Sequence, residues 1–333
     1  MSGIAQRLEL VHQSNKVQIK AQAQKSDKDF DFTGSSLSNG RQELTLEGSV
    51  KPLPQTTLKA QLKQSKNLIE LTEQTSSGIS ATQQLTPSVT LELGVRHYRN
   101  LSNEVLTRQS ILEEGEVAKL RIAGTLPMLA KVNSFIEYEQ DLSVQDQKML
   151  AFGSEYNTNW GRVYGRYELL SNLNKANSLN LDAQNQRSAI GFDAKYSDAG
   201  SVYSEYRLSN EGSDTTSNAQ LAYGLKHQFN LTNAWSLTGN FEKIQPTDSS
   251  ESVDVKPTNT SVSSSNGTGL SSTERSTTAG LTLDYKGYEN ARLSSRIEAR
   301  FADLEKSNNF LFAAAYKLNN EWSSLARLVQ ENR

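Results

Sequence analysis

Between Ala291 and Phe301 apolar and polar side chains alternate, broken only at Ser295. Ala291, Leu293, Ile297, Ala299 and Phe301 fall on one side, and Arg292, Ser294, Arg296, Glu298 and Arg300 fall on the other. A helix would scatter these arginines around its circumference, whereas an extended strand gathers them on one face. The pattern recurs along the chain. Ala279, Leu281, Leu283 and Tyr285 alternate with Gly280, Thr282 and Asp284. Leu221, Tyr223, Leu225 and Phe229 alternate with Gln220, Gly224, Lys226 and Gln228, and Ile190, Phe192, Ala194 and Tyr196 alternate with Gly191, Asp193 and Lys195. Val163, Tyr167 and Leu169 oppose Arg162, Arg166 and Glu168, while Val89, Leu91, Leu93 and Val95 oppose Glu92 and Arg96. The runs approach the ~9–11 residues that a tilted strand needs to cross a bilayer; strands of soluble domains more often have ~5–6.

Composition sharpens this reading. Only 35% of the 333 residues are hydrophobic, and mean hydropathy is −0.60. A soluble chain this polar struggles to bury enough apolar surface to offset its entropy. Yet there are 6 Pro, 12 Tyr and 10 Phe, which is not a disordered composition. A barrel with its apolar side chains outside and its polar ones inside accommodates both facts. The net charge of −2 gives no electrostatic case for nucleic acid. The absence of cysteine excludes disulfides, Zn–Cys sites and thiol catalysis. No run of 18 apolar residues offers a transmembrane helix, and residues 1–24 contain no apolar signal core. The expectation is therefore a processed protein or a piece of a longer one.

Connections alternate in length. Short ones fall at 85–88, 126–130, 157–160, 197–200, 231–234, 286–290 and 318–321, mostly rich in Asn, Asp, Gly or Pro. Long ones fall at 27–41, 100–115, 171–185, 209–217 and 246–274, the last a Ser/Thr-rich tract read as an external loop. This is the pattern of a barrel with one plain rim and one elaborated rim. A hairpin-length repeat accompanies it. Phe152-Gly-Ser-Glu-Tyr-Asn-Thr-Asn-Trp160, Leu225-Lys-His-Gln-Phe-Asn-Leu-Thr-Asn-Ala-Trp235 and Ala314-Ala-Tyr-Lys-Leu-Asn-Asn-Glu-Trp322 each place a tryptophan just past a short turn. Trp160, Trp235 and Trp322 are all the tryptophans of the chain, and their common place reads as part of an aromatic girdle at a membrane boundary.

The expected architecture is an all-β, antiparallel up-and-down transmembrane barrel of about 18 strands, closing alone or forming part of a larger barrel. Residues 1–70 supply the first hairpins on a fainter signal, near 7–11, 17–23, 42–50 and 56–63; residues 71–333 supply the rest. The inner face carries the charges, because charged groups need partners or water. Expected pore-lining residues are Arg162, Arg166, Arg207, Arg292, Arg296, Glu298 and Arg300, with Arg292, Arg296 and Arg300 forming a basic ladder able to attract anions. Lys119 is expected opposite Glu137 across the 126–130 turn. No catalytic, metal or cofactor site is expected. His12, His97 and His227 form no HExxH or HxH pattern, and Gly267-Thr-Gly269 lacks the rest of a nucleotide loop.

From about Asp193 onward the chain resembles the C-terminal barrel of large, uncharacterised proteobacterial outer-membrane proteins of the OmpA-family or repeat-containing type. The resemblance lies in Ser204-Glu-Tyr-Arg-Leu208, Ala222-Tyr-Gly-Leu225, Thr232-Asn-Ala-Trp-Ser-Leu237, Phe241-Glu-Lys243 and Trp322-Ser-Ser-Leu-Ala-Arg327. It covers under half of the chain. It implies a bacterial outer-membrane location and no established activity; in such proteins further strands follow, whereas this chain stops at Arg333 without a terminal aromatic. The functional expectation is a non-enzymatic barrel acting as membrane anchor or solute pore. Its partners would be outer-membrane lipid, the barrel-assembly machinery, and small solutes or a cell-surface partner. The alternative is a secreted soluble β-repeat adhesin or passenger domain.

Overall fold

The computed structural model describes residues 2–28, 30, 40–104, 109–126, 129–144, 146–169, 173, 188–210, 217–247, 275–302 and 306–332. They form eighteen strands: β1 Ser2–Gln13, β2 Val17–Ser26, β3 Arg41–Leu53, β4 Thr56–Asn67, β5 Thr72–Thr86, β6 Val89–Glu104, β7 Gln109–Leu126, β8 Leu129–Asp141, β9 Lys148–Asn157, β10 Gly161–Leu169, β11 Ser188–Ser197, β12 Gly200–Asn210, β13 Ser217–Asn230, β14 Trp235–Pro246, β15 Ser276–Tyr285, β16 Ala291–Ala302, β17 Lys306–Lys317 and β18 Trp322–Asn332. Each pairs antiparallel with its chain neighbours in one 18-stranded sheet. β1 then pairs with β18, from Ser2↔Asn332 to His12↔Trp322, and closes the cylinder. Closure removes the two edges of unpaired N–H and C=O groups that an open sheet would carry.

Eighteen strands spaced about 4.8 Å apart and tilted about 40° give a backbone radius of about 18 Å. That leaves an interior too wide for side chains alone to fill. The short connections expected from the sequence fall between odd-numbered strands and their successors, so they share one rim. Even-numbered strands end, and the following odd-numbered strands begin, at the opposite rim, where Ser2 and Asn332 also lie. From 248 on, the tract expected as an external loop lies outside the described residues.

Two features depart from the sequence expectation. The connection expected at 100–115 is largely strand: β6 and β7 stay paired through Asn100↔Glu113 to Glu104↔Gln109. This segment lacks the apolar alternation from which strands are read, yet its backbone pairing continues. Second, Lys119 faces Glu139, and Arg121 faces Glu137. The register shifts between Thr125 and Leu126, where pairing passes from Thr125↔Asn133 to Leu126↔Leu129 and leaves residues of β8 unmatched. Lys119 still reaches Glu137 diagonally, at 3.5 Å.

The side-chain distribution is inside out. Among the described residues, fifty large hydrophobic side chains are exposed and twelve hydrophobic residues are buried. Leu281, Ile297, Phe192 and Leu225 project outward, 43–64% exposed. Glu137, Glu139 and Glu298 project inward and are at most 2% exposed. The hydrophobic effect in water would drive the opposite arrangement.

Candidate functional site: the lumenal wall

The inner wall is built from charge and tyrosine. On β6–β8, Lys119 Nζ lies 3.3 Å from Glu92, and Arg121 Nη1 lies 2.8 Å from Glu137. The Arg121 guanidinium also stacks 4.2 Å from the Phe135 ring centroid. Further round, Arg162 bridges Glu155 at 3.6 Å and Asp193 at 2.5 Å. Arg166 pairs with Glu168 at 2.8 Å, Arg207 with Glu205, and Arg296 with Glu298. These carboxylates mostly sit two residues away on the same face or across a strand, where period-two geometry brings side chains together.

All seven residues expected to line the pore face the lumen, but they do not act alike. Arg162, Arg166, Arg207, Arg296 and Glu298 are tied into ion pairs. Arg292 is exposed. Arg300, only 7% exposed, is buried beside Glu298 and so presents little surface to the lumen.

The sequence reading missed a repeated clamp. Tyr164, Gly191 and Glu205 stand in one row across β10, β11 and β12. Tyr203, Gly224 and Glu242 stand in one row across β12, β13 and β14. In each, the tyrosine ring lies over the glycine of the next strand and its O–H donates to the carboxylate of the strand beyond. Tyr98 repeats the move over Gly115, donating to Asp141 Oδ2 at 2.5 Å. Phe135 lies over Gly153. A Cβ at Gly115 would come within 2.6 Å of Tyr98 Oη, so only glycine admits the ring. The available signal was parity: Tyr164 lies between Arg162 and Arg166 on an inward face.

Two loop residues also reach the inner wall. Phe30 is fully buried against Ala5, Leu311 and Val329. Leu173 packs with Tyr98, Val117 and Met149. One cluster sits on the β17–β1 wall and the other on β6, β7 and β9, across the cylinder.

At the short-turn rim, Trp160 precedes β10, and Trp235 and Trp322 open β14 and β18. Trp322 packs 4.7 Å from His12, and Trp235 packs 4.6 Å from Tyr285. Tyr196 and His227 stack at 5.8 Å, with Tyr196 Oη 2.8 Å from His227 Nδ1. Aromatic side chains at this rim run from Tyr156 on β9 through β18 to His12 on β1. They stop there: before Phe135 the only aromatic residues are Phe30, Phe32 and Tyr98. All three histidines lie on the outer face, and no cluster of three metal-binding side chains occurs among the described residues.

No family model matches the chain, and no curated protein matches it. Among solved structures it is similar to the siderophore receptor PirA from Pseudomonas aeruginosa, with a TM-score of 0.45 and 8% identity over 100% of this chain and 80% of that one. It is also similar to a triple mutant of the Rhodopseudomonas blastica porin, with a TM-score of 0.44 and 11% identity over 99% of this chain and 98% of that one.

Proposed function

We propose that this chain is a non-enzymatic barrel of the bacterial outer membrane, anchored by its outer wall and passing small solutes through its lumen. One observation carries the reading: most large hydrophobic side chains exposed among the described residues stand on the outer face of a closed cylinder whose inner face holds the arginine–carboxylate pairs. In water that outer wall would be a contiguous apolar patch far larger than a soluble surface tolerates. In lipid it is the favoured arrangement, and closure satisfies every backbone group. A soluble adhesin or passenger would present the opposite wall. The even strand number and the tryptophan-bearing rim fit a bacterial outer membrane. Barrels of 16–18 strands leave an aqueous channel, and the polar inner face suits solutes rather than catalysis, with no histidine on it. Lipid and the assembly machinery are the partners this implies.

The test is refolding into detergent, with heat-modifiable gel mobility as the sign of a folded barrel, followed by conductance in planar bilayers. Discrete conductance steps support the pore. A folded barrel that conducts nothing leaves only the anchor, and a chain that stays soluble without detergent removes both.

A further inference from the structure

The lumenal arginines are mostly neutralised, with a notable exception on the β16–β1 wall. Arg7 pairs with Glu9 at 2.6 Å, and Arg296 pairs with Glu298. Arg327 stands directly across from Arg7 in the β1–β18 register and lies in the electrostatic field of both Arg7 and Arg296. Like charges directly opposite each other weaken a strand pair. Among the described residues no carboxylate comes within ion-pair reach of Arg327. Its inward neighbours on β18 are Leu325 and Val329, and beside it on β17 stands Ala313. None has a side-chain acceptor. Ala313 itself packs against the Phe30 cluster, so the wall beside Arg327 on this side is apolar.

We infer that Arg327, Arg7 and Arg296 form a lumenal binding site for a small oxyanion, a carboxylate- or phosphate-bearing solute. A guanidinium presents paired N–H donors that match two oxygens of such a group. An anion shared by Arg7 and Arg327 converts their repulsion into two attractive contacts. Because the wall faces the lumen, the ligand is a free solute rather than a lipid headgroup. As a determinant of what passes, the site rests on the pore reading; as a binding site it does not.

Equilibrium dialysis of labelled inorganic phosphate against the full chain folded in detergent tests it. Saturable binding is expected, competed by a dicarboxylate such as malonate. R327Q should weaken it at least tenfold, and R7Q should act in the same direction should R327Q fail to fold. K59Q, which removes a lumenal charge on β4, should leave it unchanged. No saturable binding overturns the inference, as does unchanged binding in folded R327Q. Equal weakening in R327Q and K59Q also overturns it, because the effect would then be diffuse charge. Phosphate added during bilayer recording should reduce the current in the unmodified protein but not in R327Q. Dialysis binding in a barrel that does not conduct keeps the site and rejects the pore.

Discussion

Gly115→Ala isolates the tyrosine-over-glycine clamp. The new Cβ would lie 2.6 Å from Tyr98 Oη, 2.8 Å from Cζ and 3.0 Å from Cε1, with no other atom among its three nearest contacts. The ring must lift. It is fully buried, and its O–H donates to Asp141 at 2.5 Å, so lifting also breaks that bond. Overpacking costs about 1–3 kcal/mol, and a hydrogen bond to a charged group contributes about 1.5–3 kcal/mol. Against this, alanine gains about 0.5–1 kcal/mol over glycine inside a strand. The net expectation is a loss of about 2–4 kcal/mol from these terms. Urea unfolding of barrels folded into phospholipid vesicles reads it. In a Tyr98→Ala background the same substitution should be neutral or slightly stabilising, giving a coupling of at least about 2 kcal/mol. Gly48 is the control: it faces outward with nothing within 4 Å of a Cβ, so Gly48→Ala should stabilise by about 0.5 kcal/mol. An equal cost for Gly115→Ala with and without the tyrosine ring would refute the clamp.

Glu137→Gln should destabilise by about 3 kcal/mol in the same assay, since it strips a fully buried carboxylate from Lys119 and Arg121. Phe30→Ala should cost about 3 kcal/mol by emptying the site between Ala5, Leu311 and Val329; a cost below about 0.5 kcal/mol would place the ring outside that cluster. Tryptophan fluorescence in vesicles should be quenched more by lipids labelled near the headgroup than at the chain ends, because Trp160, Trp235 and Trp322 share one rim. Epitopes placed before Ser2 and within 142–147 should be accessible from the same side of the membrane, both lying at the rim opposite the short turns.

The barrel was legible because its two faces differ: each strand turns apolar side chains outward and polar ones inward, so period two is written into Ile190–Tyr196 and, save at Ser295, into Ala291–Phe301. Turn residues and the three tryptophans marked one rim for the same reason. Register was less legible. The irregularity at Thr125/Leu126 leaves no mark in the alternation yet sets Glu139, rather than Glu137, opposite Lys119. Inward tyrosines were hidden because Tyr suits a wet lumen as well as a membrane boundary. Arg7 and Arg327 drew no attention because their significance lies in facing each other across the closing seam, more than three hundred positions apart in the chain. Phe30 and Leu173 lie in connections, where no periodicity reports which side chain turns inward.

A cysteine scan along β15 and β16 tests the central claim most directly, and the native chain, with no cysteine, supplies a silent background. In vesicles, cysteines at Thr282, Ser294 and Arg296 should react with a water-soluble, membrane-impermeant thiol reagent. Cysteines at Leu281, Leu283 and Ile297 should be protected from it and react with a lipid-soluble one. Reactivity that fails to alternate, or that alternates in the opposite phase, would contradict a hydrated interior enclosed by a lipid-facing wall.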